Sequence, residues 1–326
     1  MRFIICILLS VLALLSCDQK SDISENLNTY KNEAPSDIDN IVQDMLLKDA
    51  LAKYEGRTSM GIIEDLLSSG NVNNTLSDTV IIVNEDDTEY DLNVAFYEGT
   101  TALMIASYYG YADLVNALIQ NNADVNLKNK ENYTALLYAA DIWSRQGIGI
   151  YDSNYNVVEL LVSNNADINA VNNYGWSALF FAAGNSNPDV VSLLTDNGAD
   201  INLISDEGIT PLLLAYDNES IKILSKTTNI NMGNFAGVTP LIKFSGADIS
   251  PEAINILIEN GADVNIVDKD GDSALSVAIE NGNFDIALIL LDNNADPNLS
   301  NKKADELAYI ARELGNEEIA SMLYKY

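Results

Sequence analysis

From about residue 43 onward, apolar and polar positions follow one pattern again and again. A first phrase recurs as GTTALMIA (99–106), NYTALLYA (132–139), GWSALFFA (175–182), GITPLLLA (208–215), GVTPLIKF (237–244) and GDSALSVA (271–278). In each, a hydroxyl residue (Thr101, Thr134, Ser177, Thr210, Thr239, Ser273) stands before Ala or Pro and an apolar run. A hydroxyl there accepts hydrogen bonds from the free N–H groups of a starting helix. Pro211 and Pro240 suit the first helical position, where no donor is needed. Leu103, Leu136, Leu179, Leu212, Leu241 and Leu275 are expected to point inward, while Ala106, Ala139, Ala182, Ala215 and Ala278 keep one site small so that helices approach closely.

A second apolar phrase follows, for example DLVNALI (113–119), with Leu114, Val115, Leu118 and Ile119 on one helical face. It ends at Asn122, Asn165, Gly198, Gly261 or Asn294, residue types that tolerate the left-handed conformation of a helix C-terminus. Asn126, Asn169, Asn202, Asn231, Asn265 and Asn298 recur behind it. They predict local side-chain bonding that holds the turn into the next unit.

Thr101 to Thr134, Ser177 to Thr210 and Asn265 to Asn298 are each separated by 33 residues. With its two phrases, this period resembles the ankyrin repeat, whose pattern is G-x-T-P-L-H-x-A followed by L-L-x-x-G-A-D-V-N. The resemblance covers residues 43–326, with six clear copies and two degenerate ends, 43–73 and 303–326, that read as caps. It implies an all-α repeat solenoid of helix-turn-helix units joined by β-hairpin fingers. One unit cannot bury its apolar face alone; stacking does that. The His of the family's pattern is replaced throughout, by Met104, Leu137, Phe180, Leu213, Ile242 and Ser276.

Three units break the period. Asn73 to Asn126 is 53 residues, and the excess includes VIIVNEDDTEYDLNVAFY (80–97), two β-prone runs around an acidic turn. That predicts one elongated finger. Asn126 to Asn169 is 43, with the extra residues near 141–156. Asn202 to Asn231 is 29, and Phe244 then replaces the small Ala, so a local bend is expected between residues 216 and 245.

The N-terminus has a different texture. Residues 1–16, MRFIICILLSVLALLS, read as a signal peptide. Leu14, Leu15 and Ser16 before Cys17 resemble the bacterial lipoprotein box, which implies acylation of Cys17 and a lipid anchor outside the cytoplasm. Cys6 would leave with the signal, so the mature body would hold no other thiol. Residues 17–42 are polar and read as a flexible tether.

Composition narrows the chemistry. The 326 residues carry 48 Asp+Glu against 17 Lys+Arg, a net charge of −31, and no histidine. A nucleic-acid binder needs a basic face, which this chain lacks. Without His, the commonest general base and metal ligand is gone. DKDGD (268–272) opens like a calcium loop but lacks the closing Glu and falls where a finger tip belongs. Asp86 and Asp87 sit in a predicted turn without a pocket motif. No catalytic residue, cofactor, metal site or small-molecule substrate is expected.

What remains is aromatic. The family resemblance implies partner contacts at the finger tips and the inner helix face. By repeat position these fall at Tyr97, Tyr108, Tyr109, Tyr133, Tyr174 and Trp176, with Trp143 at the start of an insertion; Asp206, Phe235, Lys269 and Asp272 occupy further tip positions. Tyr and Trp dominate interface hot spots. The expectation is a non-enzymatic, lipid-anchored envelope protein that binds another protein on its concave face, with carboxylates steering a basic partner. The alternative is an envelope spacer without a discrete hot spot.

Overall fold

The computed structural model describes residues 60–68, 71–76, 80–82, 94–141, 151–226, 229–247 and 249–325. The expected signal segment, Cys17, the tether, most of the leading cap and Trp143 lie outside them. α1 (Met60–Leu67) belongs to the leading cap. A two-stranded antiparallel sheet follows, β1 (Val80–Ile82) on β2 (Val94–Phe96), with Val80 opposite Phe96 and Ile82 opposite Val94. Six helix pairs come next: α2 (Ala102–Tyr108) with α3 (Ala112–Gln120), α4 (Ala135–Ala140) with α5 (Tyr151–Ser163), and α6 (Ala178–Gly184) with α7 (Pro188–Asp196). The series continues with α8 (Pro211–Leu214) and α9 (Asn218–Leu224), α10 (Pro240–Gly246) and α11 (Pro251–Glu259), α12 (Ala274–Glu280) and α13 (Phe284–Asp292). The closing cap is α14 (Ala304–Glu313) with α15 (Glu317–Leu323).

The expected hydroxyl residues start the inner helices. Oγ of Thr101, Thr134, Thr210, Thr239 and Ser273 each accepts from the backbone N–H three residues on, at 3.2–3.4 Å. Where the family has His, Met104 Sδ and Ser276 Oγ accept from the N–H of Thr101 and Ser273 in return, closing two capping boxes. Ser177 departs from the set. It occupies the cap position, but its hydroxyl makes no cap bond and is buried without a hydrogen-bond partner.

Inner helices stack on inner helices, from α2 to α14, and outer on outer, from α3 to α15. The core runs along their shared seam. Leu103, Leu136, Leu179, Leu212, Leu241 and Leu275 are buried, as are the small alanines and Phe244, which takes an alanine's place. The second helices end as expected, with Asn122, Asn165, Gly198, Gly261 and Asn294 at φ between +64° and +95°.

The recurrent asparagines do something other than hold their own turn. Asn126 Nδ2 donates to the Asn165 carbonyl at 3.0 Å and its Oδ1 accepts from Asp167 N–H at 2.7 Å, both in the next unit. Asn73, Asn169, Asn231 and Asn265 repeat this clamp with the corresponding residues of the units that follow them. At Asn126, Asn169 and Asn265 the Asp two residues earlier accepts the Asn N–H, as Asp124 does from Asn126 at 2.9 Å, and at Asn73 the side chain of Asn71 does the same. The expectation of purely local bonding is thus corrected: the asparagine ties one repeat to the next.

The period breaks fall where the sequence locates them. The first finger is the elongated one, carrying β1 and β2 beyond a Thr75–Thr101 bridge. Part of the second insertion lengthens α5 to 13 residues. The four missing residues are taken mainly from α8, cut to a single turn of four residues before the chain turns extended at Ala215 (ψ 142°). Lys243 from the next unit donates its ammonium to the Leu213 carbonyl and lies 4.6 Å from the Tyr216 ring centre. Among the described residues, no helix is long and apolar enough to cross a membrane.

Candidate protein interface

Five of the fingers are each built around one polar side chain. Asn129 Oδ1 accepts from the N–H groups of Glu131 and Tyr133 at 3.0 and 2.9 Å, while its own N–H donates to the Tyr133 carbonyl. Asn172, Ser205, Asn234 and Asp268 hold their fingers in the same manner. The tips also bond to one another: Lys130 N–H donates to Glu98 O, Asn173 N–H to Glu131 O, Asp206 N–H to Tyr174 O, and Lys269 N–H to Ala236 O, at 2.8–3.1 Å. These bonds join the first four fingers to one another, and the fifth to the sixth. One carboxylate oxygen of Asp268 is committed to the turn, in the segment that resembles a calcium loop, and the described residues contain no group of three potential metal ligands.

The candidate aromatic residues largely come together. Beginning behind α2, Tyr111 stacks on Tyr109 (5.6 Å between ring centres), which meets Tyr108 edge-on at 5.1 Å. Tyr108 touches Tyr138 (6.0 Å), and Tyr138 touches Tyr133 (4.9 Å). From Tyr133 the rings branch to Tyr97 (6.4 Å) and to Phe181 (5.9 Å), and Phe181 leads to Trp176 (5.5 Å). This aromatic run crosses three units and reaches from the finger tips into the inner helices.

Within the run, exposure differs. Tyr97, Tyr109, Tyr133 and Trp176 are half-buried and present an edge to solvent. Tyr108 is only 3% exposed and so packs between helices, which removes it from the residues able to meet a partner. Tyr174, on its finger tip, is 59% exposed. Sequence reasoning passed over Tyr138, which is buried and joins the two halves of the run; its inward register on α4 was the available signal. It also left out Tyr216, whose exposure follows from the shortening of α8.

Burial dominates the electrostatics of these phenols. It pushes the Tyr138 hydroxyl up to about 12, against hydrogen bonds from Thr100 and Asn129 that pull the other way. It raises Tyr133 further, with the Asp141 carboxylate adding to the effect. Tyr97 is also raised, first by burial and then by its neighbours Tyr174, Glu131 and Asp141. All three are therefore neutral phenols at physiological pH, offering hydroxyl donors beside carboxylates.

A family model described as ankyrin repeats (3 copies) matches residues 148–234, 215–301 and 243–326, and another described as ankyrin repeats (many copies) matches 90–139. This chain belongs to the ankyrin-repeat family. No curated protein matches it in sequence. Among solved structures, it is similar to the immunity protein of the complex between the predatory endopeptidase Bd0816 from Bdellovibrio bacteriovorus and immunity protein Bd3460. The match is 32% identical with a TM-score of 0.51, and covers 60% of this chain and 99% of the other. An ankyrin-repeat fold and a neighbour solved in a protein complex suggest a protein-binding module.

Proposed function

We propose that this ankyrin-repeat protein is a membrane-anchored inhibitor that holds a second protein against its finger tips and inner helix face. The observation that carries this reading is the continuous aromatic run of the first three units, with Tyr97, Tyr109, Tyr133 and Trp176 half-open along it. Rigid, partly exposed aromatic rings supply contact area at low entropic cost. The neighbour's role as an immunity protein to an endopeptidase supports an inhibitory task and a peptidase as the class of partner. A net charge of −31 favours a partner with a basic surface. The anchor would be acylated Cys17, with residues 17–42 as tether, on a membrane of the bacterial envelope outside the cytoplasm. No catalytic role is assigned to any residue.

The test is a crosslinking pull-down from intact cells with the native chain, Cys17→Ala, and the double variant Tyr109→Ala, Trp176→Ala. One dominant partner, lost with the double variant by at least tenfold in yield, is the expected result. Diffuse neighbours unchanged by it would favour an envelope spacer instead. A Cys17→Ala protein that stays in the membrane fraction would remove the lipid anchor from the reading.

A further inference from the structure

The fourth and fifth units meet differently from the rest of the stack. From the first finger to the fourth, and again from the fifth to the sixth, each tip accepts a backbone hydrogen bond from the next at 2.8–3.1 Å. By repeat position, Phe235 N–H would continue the series onto Glu207. Among the described residues no backbone hydrogen bond joins these two fingers. What remains between them is contact. Gly208, at φ +76°, lies against Phe235, whose ring and backbone nitrogen would stand 2.7 and 2.9 Å from a methyl group built there. Such contact holds two fingers while they touch, but it lacks the direction of a hydrogen bond.

The inner helices are interrupted at the same junction. α8 has four residues where the other inner helices have six to ten, and the chain is already extended at Ala215. Lys243 of α10 reaches across the gap, its ammonium on the Leu213 carbonyl and 4.6 Å from the Tyr216 ring centre. No carboxylate pairs with it among the described residues. The loop edge is different. There Asn218 accepts from Ser250 Oγ and donates through Nδ2 to Glu252, both at 2.8 Å. Behind these bonds α9 keeps seven residues and α11 nine, and the two pack with Ile221, Leu224, Ile254 and Leu257 buried.

One side of the junction is thus bonded and packed, while the other is held by one lysine and one glycine contact. Motion costs least where hydrogen bonds and helical turns are missing, and its axis lies where they persist. We infer that the fourth and fifth units form a built-in joint of the solenoid, pivoting at the Asn218–Ser250–Glu252 edge and opening at the fingers, with Lys243 as its latch. The aromatic run lies wholly on one arm, because its members belong to the first three units. Opening the joint changes how far the fifth and sixth fingers stand from that run and leaves the rings themselves undisturbed. The joint belongs to the free chain and stands whether or not the binding function above holds.

The experiment measures distance distributions by double electron–electron resonance on the full-length protein, with nitroxide-bearing p-acetylphenylalanine replacing two residues at a time. Lys130, Asp206 and Lys269 are exposed and hold the same position on the second, fourth and sixth fingers. Glu219 and Asp285 are exposed and hold the same position on α9 and α13. Expected is a distribution for Asp206 with Lys269 roughly twice as wide as that for Lys130 with Asp206, which spans as many units, and a narrow one for Glu219 with Asp285. Lys243→Met should widen the first further and leave the other two as they were. Equal widths for the two finger pairs in the native chain would overturn the joint. A Glu219–Asp285 distribution as broad as that of Asp206 with Lys269 would overturn the pivot. If Lys243→Met broadens all three alike, or none, Lys243 is not the latch.

Discussion

Asn126 makes two hydrogen bonds to the following unit, and both involve exposed groups that water can serve instead. Its replacement by Ala is therefore expected to cost about 1 kcal/mol rather than the larger penalty of an orphaned buried donor. Asn265, with the same pair of bonds, should behave alike. Urea midpoints at unchanged slope measure this; no change in either variant would mean that the asparagine clamp does not couple repeats. The capping hydroxyls offer a sharper contrast. Thr134→Ala removes a bonded cap and should cost about 1 kcal/mol. Ser177→Ala removes a buried hydroxyl without a hydrogen-bond partner, so it should be neutral or stabilising by about 0.5 kcal/mol. Equal losses at the two positions would show that the cap bond itself is not what matters.

At the scale of elements, the weak point is α8. A helix of one turn cannot satisfy its own final carbonyls, and here the Lys243 ammonium from the adjacent unit serves the carbonyl of Leu213 while lying over Tyr216. Lys243→Met keeps an unbranched apolar stem but removes the donor and the charge. The expected loss is about 1–2 kcal/mol. Because each repeat touches only its neighbours, the damage should stay local. Hydrogen exchange is the suitable readout: amides of residues 211–225 should lose protection first, ahead of those in α2, α3, α12 and α13. Uniform loss along the chain would argue against α8 as the least stable segment.

For the whole molecule, the aromatic run makes stability depend on alkaline pH. Unfolded tyrosines ionise near pH 10, whereas folded Tyr138 ionises near pH 12 and Tyr133 is raised as well. Between these values the native state holds more protons than the unfolded one, so stability is fully present below pH 10 and falls as pH rises through that window. The Tyr138 contribution is on the order of 2–3 kcal/mol. Tyr138→Phe should be somewhat less stable at pH 7, where it loses the bond from Asn129 at 3.0 Å, and should lose less stability between pH 10 and 12. Parallel pH curves for the two proteins would contradict the assignment.

The fold was legible in the residues because its determinants are local and repeated: a cap hydroxyl, a small alanine, an apolar stripe and a left-handed Asn or Gly act within a few positions of one another, and six copies reinforce the pattern. The elongated finger and the short fourth unit were legible for the same reason, as departures from a period. The ankyrin solenoid and several members of its aromatic face, Tyr97, Tyr109, Tyr133 and Trp176, followed from repeat position alone. What the tertiary structure decided lies between repeats. It made Tyr108 a packing residue, joined the rings through Tyr138, turned the asparagines into clamps, and brought Lys243 onto the open end of α8. Each of these depends on distances between residues about thirty positions apart, which stacking determines and which no local pattern of apolar and polar residues records.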